Sequence, residues 1–286
     1  MIITITCNPA IDKSLNENSI TFDVGGKGIN VSKLLKNLGV DSIATGFVGR
    51  NNKNVVLDRL DELDIEHHFI EIDGDVRTNT KKIINNQLFE ENQKGPLVSD
   101  VDRDKLIEYI NNFHNEIVVL SGSCTNNIYY DLVKALKSND NYVILDSDGQ
   151  LLIDGILANP NVIKPNKDEI CRYFHCDYDE DRIIYKIKQL GLDLVCLSLG
   201  DEGALFIYKD SVYKAKPMQI DYKNATGAGD SMVGAIAYCK QNKLGIIETI
   251  KLAVASASSA CEVEGSSAPN KDDIFAKIER VEVTKL

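Results

Sequence analysis

An acidic residue follows a short run of small residues near position 230, in a pattern that suits phosphate chemistry. Gly227, Ala228 and Gly229 precede the acid, Asp230, and a small, apolar helical run begins at Ser231. Glycines let the backbone approach a ligand closely, and the first N–H groups of a helix have no partner inside it. With the helix dipole, these donors form an anion site. Because a carboxylate repels an anion, we interpret Asp230 as a base that acts on a group attacking the anion. The alternative is an ordinary turn whose acidic residue interacts favourably with the helix dipole.

A second glycine-rich segment, at residues 25–30, begins another predicted helix. Gly25 and Gly26 permit close approach, Lys27 supplies a positive charge, and Asn30 offers a donor and an acceptor to a hydroxylated ligand. The segment is not a Walker motif, because no glycine precedes it at the required spacing and no Ser or Thr follows the lysine. The alternative is an ordinary turn and helix start.

Polar residues around two predicted strands suit a phosphorylated sugar. Asp12 lies just past the first strand, where its carboxylate could accept two sugar hydroxyls. Arg77, Asn79 and Lys81 alternate along a strand and therefore share one face. Two cations and an amide on one face predict contacts with a sugar phosphate. The alternative for all four is a solvated surface.

Asn166 and Glu169 are three residues apart and share the first turn of a predicted helix. Carboxylate and amide oxygens are hard ligands of the kind that Mg²⁺ prefers, usually by way of nucleotide phosphates. The same spacing also forms a capping box, with Asn166 as the cap, so both interpretations stay open.

Composition and charge exclude several classes of protein. Acidic residues exceed basic ones, giving a formal charge of −11, which disfavours non-specific nucleic-acid binding. No apolar run reaches bilayer-spanning length, and the first residues lack the features of a signal peptide. The seven cysteines are odd in number and have no metal-ligand spacing, which argues against a disulfide framework. We therefore expect a cytoplasmic protein with neither a nucleic-acid nor a membrane partner.

Strands and helices alternate along most of the 286 residues. Strands are predicted at 2–6, 42–48, 117–120, 142–145, 162–163, 194–199, 204–208 and 211–216, with two or three extended pieces within 67–90. Helices are predicted after Gly25 and Asn166, at 53–63, 102–114, 127–138, 150–157 and 179–190, after Asp230, and at 246–262 and 271–279. Such alternation predicts a parallel sheet with helices on both faces, and ligands at the carboxyl ends of its strands. The residues predicted at that end are Ser121, Ser123, Asp146, Asn166 and Gly200.

Seven segments, taken in order, resemble the ribokinase-like (PfkB) sugar kinases and span nearly the whole chain. They are Asn8–Asp12, Gly25–Asn30, Arg77–Asn79, Ser121–Ser123, Asn166–Glu169, Ser198–Gly203 and Thr226–Asp230. More closely, the chain resembles the branch of 1-phosphofructokinases and tagatose-6-phosphate kinases. The resemblance implies an α/β fold, a three-layer sandwich with a central, mostly parallel sheet, as a single kinase domain over residues 1–286. It also implies a small β lid, formed by segments about 12–24 and 67–92, and a need for ATP and Mg²⁺.

The resemblance further implies a role for each matching residue. Asp230 would be the base, and Gly227, Ala228 and Gly229 the anion hole. The sugar would be held by Asp12, Gly25, Gly26, Asn30, Arg77 and Asn79, and its phosphate by Lys27, Lys81 and Ser121 or Ser123. Asn166, Glu169 and Asp146 would organise Mg²⁺. The nucleotide would be bordered by Asn166, Ser198, Gly200, Gly203 and Thr226, with the helix at 253–260.

Two departures from the family pattern bear on these expectations. The segment between Asp12 and Gly25 is short for this branch, so a lid strand there, and a homodimer formed through the lid, are in question. The segment Phe47–Asn52 lacks the Asp that usually follows its glycine.

The predicted reaction is transfer of the γ-phosphoryl group of ATP to the 6-hydroxyl of fructose 1-phosphate. Two alternatives remain: a kinase for tagatose 6-phosphate or another phosphorylated ketose, and a non-catalytic sensor of sugar phosphates or nucleotides. The intact acid at position 230 argues against the sensor, which has no use for a base. The preferred ketose, the oligomeric state and any monovalent-ion requirement are left open.

Overall fold

Strands and helices alternate as expected in a computed structural model of the chain, which describes residues 1–16, 19–84, 87–263, 265 and 267–286. The strands are β1 (Ile2–Thr6), β2 (Ala10–Asn16), β3 (Ser19–Gly25), β4 (Ser42–Gly49), β5 (Glu66–Ile72), β6 (Arg77–Ile84), β7 (Gln87–Asn92), β8 (Ile117–Ser121), β9 (Tyr142–Asp146), β10 (Val162–Ile163), β11 (Leu194–Ser198), β12 (Ala204–Tyr208), β13 (Ser211–Ala215) and β14 (Val283–Lys285). The helices are α1 (Lys27–Asn37), α2 (Asn54–Glu62), α3 (Asp100–Ile110), α4 (Tyr129–Ser138), α5 (Gly149–Leu157), α6 (Lys167–Phe174), α7 (Glu180–Lys188), α8 (Ala228–Gln241), α9 (Ile246–Ala260) and α10 (Lys271–Ile278).

A ten-stranded sheet crosses the described part of the chain in the order β14-β13-β12-β11-β10-β9-β8-β1-β4-β5. The strands from β11 to β5 are parallel, and β12, β13 and β14 continue the sheet antiparallel at one edge. The mostly parallel sheet is confirmed, and β14 adds an edge strand that the sequence did not predict. The register pairs Thr6 with Ser121 and Ser121 with Asp146, so three polar residues lie side by side at the carboxyl ends of β1, β8 and β9.

Helices cover both faces of this sheet. One face packs against α3, α4, α5, α6 and α7 through buried side chains such as Leu132 and Ile170. The other packs against α1, α8, α9 and α10. At Gly234 of α8, an added Cβ would lie 2.8 Å from the Leu34 side chain, so α8 approaches α1 closely. The three-layer α/β fold is confirmed. Among the described helices, none combines the length and apolar character needed to cross a lipid bilayer.

A separate four-stranded sheet has the order β3-β2-β6-β7. The short segment from Asp12 to Gly25 supplies most of both β2 and β3, which pair as an antiparallel hairpin. The expectation that residues 67–92 all belong to this sheet is wrong for its first part, because β5 pairs in parallel with β4 in the central sheet. Residues 17, 18, 85 and 86 of the predicted lid segments lie outside the described residues.

The two faces of the small sheet differ in character. The register aligns Asp12 with Asn79 and places Arg77 and Lys81 on the same face, because residues directly opposite each other point to the same side. On the other face, Ile11 and Val24 pack against α2. The apolar side chains farther along that second face are exposed to solvent: Ile20, Phe22 and Phe89.

Candidate active site

Asp230 is the third residue of α8, and its carboxylate is buried. The helix begins directly after Gly227, whose φ of 78° is a left-handed conformation that favours glycine. Asn30 Nδ2 donates a hydrogen bond of 2.7 Å to Asp230 Oδ2. Burial, and secondly the Asp146 carboxylate, raise the pKa of Asp230 to about 6, although nearby cations and the Asn30 amide act in the opposite direction. A carboxylate with this pKa is ionised at neutral pH and is a stronger base than an exposed aspartate.

Two lysines converge on the buried carboxylate of Asp146, at the end of β9. Lys27 Nζ lies 3.2 Å from Asp146 Oδ1, and Lys164 Nζ lies 3.3 Å from the same oxygen. Burial acts to lower the pKa of Lys27, but the Asp146 and Asp230 carboxylates outweigh it and raise that pKa to about 12. Both Lys164 and Asp146 are almost fully buried. Together with Asp230, these residues form a charge network in which each buried charge has an opposite charge nearby.

Lys164 is a site residue that the sequence analysis missed. It follows β10 directly, and an added Cβ at Gly229 would lie 3.2 Å from its Nζ. Its ammonium group therefore lies next to the backbone amides at the start of α8, where an anion is expected. The only sequence signal was a lysine at the carboxyl end of a short apolar strand.

Asn166 and Glu169 form the capping box that the sequence left open. Asn166 Oδ1 accepts from the Glu169 N–H at 2.8 Å, and Glu169 Oε2 accepts from the Asn166 N–H at 2.8 Å. Burial raises the pKa of Glu169, an effect opposed by the bond from Asn166 and by nearby lysines. The side-chain oxygen of Asn166 and one carboxylate oxygen of Glu169 thus accept hydrogen bonds from backbone N–H groups at the start of α6.

The donors available for a metal ion are few. Asp146 Oδ2 is buried and has no hydrogen-bond partner among the described residues. Within the described ranges, no three or more His, Cys, Asp or Glu side chains gather to hold a metal ion. Mg²⁺ commonly binds through one or two carboxylates with phosphate oxygens and water, and Asp146 with Glu169 fit such a site.

The polar face of the small sheet brings together the predicted sugar contacts. Asn79 Nδ2 donates to Asp12 Oδ1 at 2.9 Å, and Arg77 Nε donates to the Asn8 carbonyl oxygen at 3.2 Å. Burial lowers the pKa of Arg77, an effect opposed by the Asp12 carboxylate. At Gly25, an added Cβ would lie 2.1 Å from Asp12 Oδ2, so a side chain there would displace that carboxylate. Gly26 follows as the cap of α1.

Lys81 connects the small sheet to the start of α8. Its Nζ donates to Thr226 Oγ1 at 3.2 Å, across 145 positions of sequence. Thr226 stands directly before Gly227. A residue predicted near the sugar phosphate and one predicted near the nucleotide are therefore in contact.

Several buried polar atoms at the carboxyl ends of β1 and β8 and in α1 have no hydrogen-bond partner within the described residues. These atoms are Thr6 Oγ1, Asn8 Oδ1, Asn30 Oδ1 and Ser121 Oγ. Asn8 Nδ2 donates to Ser123 Oγ at 3.2 Å, which brings Asn8 into the same group. An unsatisfied buried polar atom costs about 1–3 kcal/mol, and a bound ligand is one explanation for retaining it. Thr6 and Asn8 were not predicted as site residues.

A cavity of about 680 Å³ lies on the other side of the α8 N-terminus. Its lining is mostly apolar, and its volume is within the range of small-molecule sites. Four of the residues predicted near the nucleotide line it: Asn166, Ser198, Gly200 and Gly203. Val254, Ala257 and Ser258 of α9 also line it, as predicted for that helix. The coil between β13 and α8 adds residues that the sequence analysis missed: Pro217, Met218, Ile220 and Tyr222.

Comparisons with known proteins identify a family and several similar chains. The sequence matches the pfkB family, described as carbohydrate kinases, over residues 1–273. It is 33% identical to the 1-phosphofructokinase of Borreliella burgdorferi, over 93% of each chain. It is 29% identical to the tagatose-6-phosphate kinase of Staphylococcus epidermidis, over 99% of this chain and 100% of that protein. The fold superposes on phosphofructokinase-2 from Escherichia coli in complex with potassium, with a TM-score of 0.91 and 22% identity over 98% of each chain.

Proposed function

The chain belongs to the pfkB family of carbohydrate kinases, and we propose that within this family it transfers the γ-phosphoryl group of ATP to the 6-hydroxyl of fructose 1-phosphate. Family membership makes it a phosphotransferase that acts on an alcohol group, with ATP as the phosphate donor. The choice of fructose 1-phosphate is supported by relatives named 1-phosphofructokinase over more than nine-tenths of the chain.

The buried carboxylate of Asp230 at the start of α8 is the observation that carries the proposal. Asp230 takes the proton of the acceptor hydroxyl as its oxygen bonds to phosphorus. The Asn30 amide, 2.7 Å from Asp230 Oδ2, orients the carboxylate. The Gly229 backbone N–H faces the charge that develops on the transferring group. The Ala228 N–H donates to the Ala225 carbonyl oxygen at 3.3 Å and so holds the turn that presents Gly229. Positioning and electrostatic stabilisation of this kind are the main contributions that proteins make to phosphoryl transfer.

The surrounding residues position the two substrates on either side of this carboxylate. The polar face of the small sheet holds the sugar through Asp12, Asn79 and Arg77, while Lys81 and Lys27 meet its phosphate. The Ser121 hydroxyl donates to or accepts from the same ligand, and Asn30 Oδ1 accepts from it. Lys164, beside Gly229, adds positive charge to the anion hole. The small sheet acts as a lid whose closure excludes water and so limits ATP hydrolysis.

The cavity beside α8 takes the nucleotide. Its apolar walls suit the base, and its opening at Ala228 and Gly229 leads the phosphates to the anion hole. Asp146 and Glu169 are the residues that would hold Mg²⁺, with phosphate oxygens and water completing its ligands. When bound, magnesium neutralises charge on the phosphate oxygens.

A substrate panel tests this proposal. The purified enzyme, with ATP and Mg²⁺, is assayed on fructose 1-phosphate, tagatose 6-phosphate and fructose 6-phosphate, and kcat/KM is compared. We expect fructose 1-phosphate to give the highest value. A higher value for tagatose 6-phosphate would favour the second candidate, which the Staphylococcus epidermidis relative supports. Binding of nucleotide and sugar phosphate without ADP release would instead favour a sensor.

The outer face of the small sheet supports a further part of the proposal, a homodimer. Ile20, Phe22 and Phe89 are each more than half exposed there. Exposed apolar groups on one sheet face are typical of interaction sites, and two copies of this face would cover each other. We further place the enzyme in the cytoplasm, because all seven cysteines are free thiols, as expected in a reducing compartment.

A further inference from the structure

Two cysteines lie beside the proposed sugar-phosphate contacts, on neighbouring strands of the central sheet. Cys7 follows β1 directly, and Cys124 follows Ser123 at the end of β8. The two strands are paired in parallel up to Thr6 and Ser121. Gly122, with a φ of 96°, turns the second segment. The hydrogen bond of 3.2 Å from Asn8 Nδ2 to Ser123 Oγ joins the residues next to the two cysteines, and both sulfurs pack in the same core cluster. The two thiols also shift each other's pKa.

The environments of the two sulfurs are different. Cys7 is 3% exposed and packs in the core, whereas Cys124 is half-buried at its edge. The hydrogen bond from Cys7 and the backbone N–H groups of Asn126 and Thr125 lower the pKa of Cys124, against the effect of burial. The interaction with Cys124, together with burial, raises the pKa of Cys7. A partly exposed sulfur with a lowered pKa beside a buried thiol is the arrangement of a reactive cysteine and its resolving partner.

We propose that Cys7 and Cys124 form a reversible disulfide when the enzyme meets hydrogen peroxide, and that this bond weakens sugar-phosphate binding. The Cys124 thiolate attacks one peroxide oxygen, the O–O bond breaks, and hydroxide leaves with a proton as water. The Cys7 sulfur then attacks the sulfenic acid, the S–O bond breaks, and a second water leaves with the Cys7 proton. Two thiols and one peroxide therefore give one disulfide and two waters.

The consequence for binding follows from the neighbours of the two cysteines. Asn8 follows Cys7, and its amide donates to Ser123 Oγ, while its carbonyl oxygen accepts from Arg77 Nε. Drawing the two sulfurs to bonding distance shifts the backbone at Asn8 and Ser123. The cavity for the nucleotide is lined by other segments, so ATP binding is expected to stay unchanged. This second half of the inference rests on the proposed function.

Peptide mapping tests the bond without reference to activity. The full-length enzyme is treated with hydrogen peroxide, alkylated and digested with trypsin. We expect the peptides Met1–Lys13 and Leu106–Lys134 to appear joined, and to separate with dithiothreitol. In Cys7→Ser, the sulfenic acid should persist and react with dimedone at Cys124, whereas Cys124→Ser should leave Cys7 unlabelled. Labelling at Cys7, or a disulfide only between other cysteines, overturns the proposal.

Kinetics tests the effect of the bond. Oxidation should raise the KM for fructose 1-phosphate on the order of tenfold and leave the KM for ATP unchanged, since misplacement by about 1 Å has effects of this size or larger. Cys124→Ser should keep the reduced enzyme's kcat/KM and lose the response, and Cys176→Ser, remote from the pair, should keep both. If the joined peptide forms but the KM for fructose 1-phosphate is unaltered, the proposed effect on binding is wrong and the disulfide itself stands. Failure of every sugar phosphate to turn over contradicts the proposed function and leaves the mapping result intact.

Discussion

At the level of single residues, the proposed chemistry depends on a buried carboxylate, Asp230, that stays ionised at neutral pH. Burial and the neighbouring Asp146 raise the pKa of Asp230, while the Asn30 amide and two lysines limit that rise to about 6. A base with a pKa near 6 is deprotonated at neutral pH and still accepts a proton readily. Lys27 and Lys164 thus favour the charged form of Asp230, and in the proposed reaction they would also supply positive charge to the phosphates.

Asp230→Asn is expected to reduce kcat by about 10²- to 10⁴-fold, because the variant cannot accept the proton of the hydroxyl. A coupled assay of ADP release measures the loss, and circular dichroism checks that the fold is retained. Near-normal turnover in this variant would contradict the role given to Asp230.

The same substitution should stabilise the protein at neutral pH. The ordinary pKa of an aspartate is 3.8, whereas the pKa of Asp230 in the folded protein is about 6. The folded protein therefore binds this proton more tightly than the unfolded chain does. Stability therefore falls as pH rises from about 4 to 6 and stays lower above that window, by at most about 3 kcal/mol. Asn is neutral throughout, so the variant should melt at a higher temperature than wild type at pH 8 and not at pH 4. Equal melting temperatures at pH 8 would show that the folded structure does not raise this pKa.

Sequence patterns predicted some of these residues and not others. Asp230 and Asn30 lie at glycine-rich helix starts. Such a start is recognised from residues that are adjacent in the sequence. Lys164 and Asn8 have no such local signal. Lys164 matters because the end of β10 reaches the start of α8, more than 60 positions later, and Asn8 because β1 lies next to β8. These roles come from tertiary neighbours, which spacing along one sequence does not contain.

At the level of elements, strand β6 connects the sugar side of the site to α8. Lys81→Met removes the donor to Thr226 and a cation from the polar face. We expect the KM for the sugar phosphate to rise on the order of tenfold or more, because a charge-assisted bond contributes about 1.5–3 kcal/mol. Lys82→Met is a matched control, since the next residue of a strand points to the opposite face. Equal effects of the two variants would mean that overall charge, and not this contact, is responsible.

The start of α6 allows stability and activity to be separated. Asn166→Ala and Ser99→Ala each remove the cap of a helix that begins with a capping box. Both should lower the free energy of unfolding by about 1 kcal/mol, measured by urea denaturation. Only Asn166→Ala should also lower kcat/KM, since Asn166 lines the nucleotide cavity and positions Glu169. If Ser99→Ala lowered activity equally, loss of stability alone would explain both.

The pattern of apolar residues predicted most elements of the central fold, because a 3.6-residue or two-residue period is a local property. It did not predict which sheet a strand joins. Neither β5 nor β6 has a regular apolar alternation, and only β5 pairs with β4 in the central sheet. The hairpin of β2 and β3 was in question, because the segment between Asp12 and Gly25 is short for the branch that the sequence resembles. The segment nevertheless holds two paired strands.

At the level of the whole molecule, the exposed apolar face of the small sheet is the surface through which we propose that two copies associate. Phe22→Asp should shift the protein toward the monomer in sedimentation velocity, because a charge would be buried in the paired face. Leu157→Asp is the matched control, since Leu157 is equally exposed at the end of α5. An unchanged sedimentation coefficient in Phe22→Asp, or a monomeric wild type, would exclude this interface.

The unpartnered oxygens of Thr6, Asn8, Asn30 and Ser121 have an effect that extends beyond turnover. A sugar phosphate that bonds to these atoms, as proposed, would stabilise the folded state. Any ligand that binds only the folded state lowers the unfolded fraction, which is the form that cellular proteases degrade. When the sugar is scarce, the enzyme should therefore be cleared faster, and its abundance would follow its supply of nutrient.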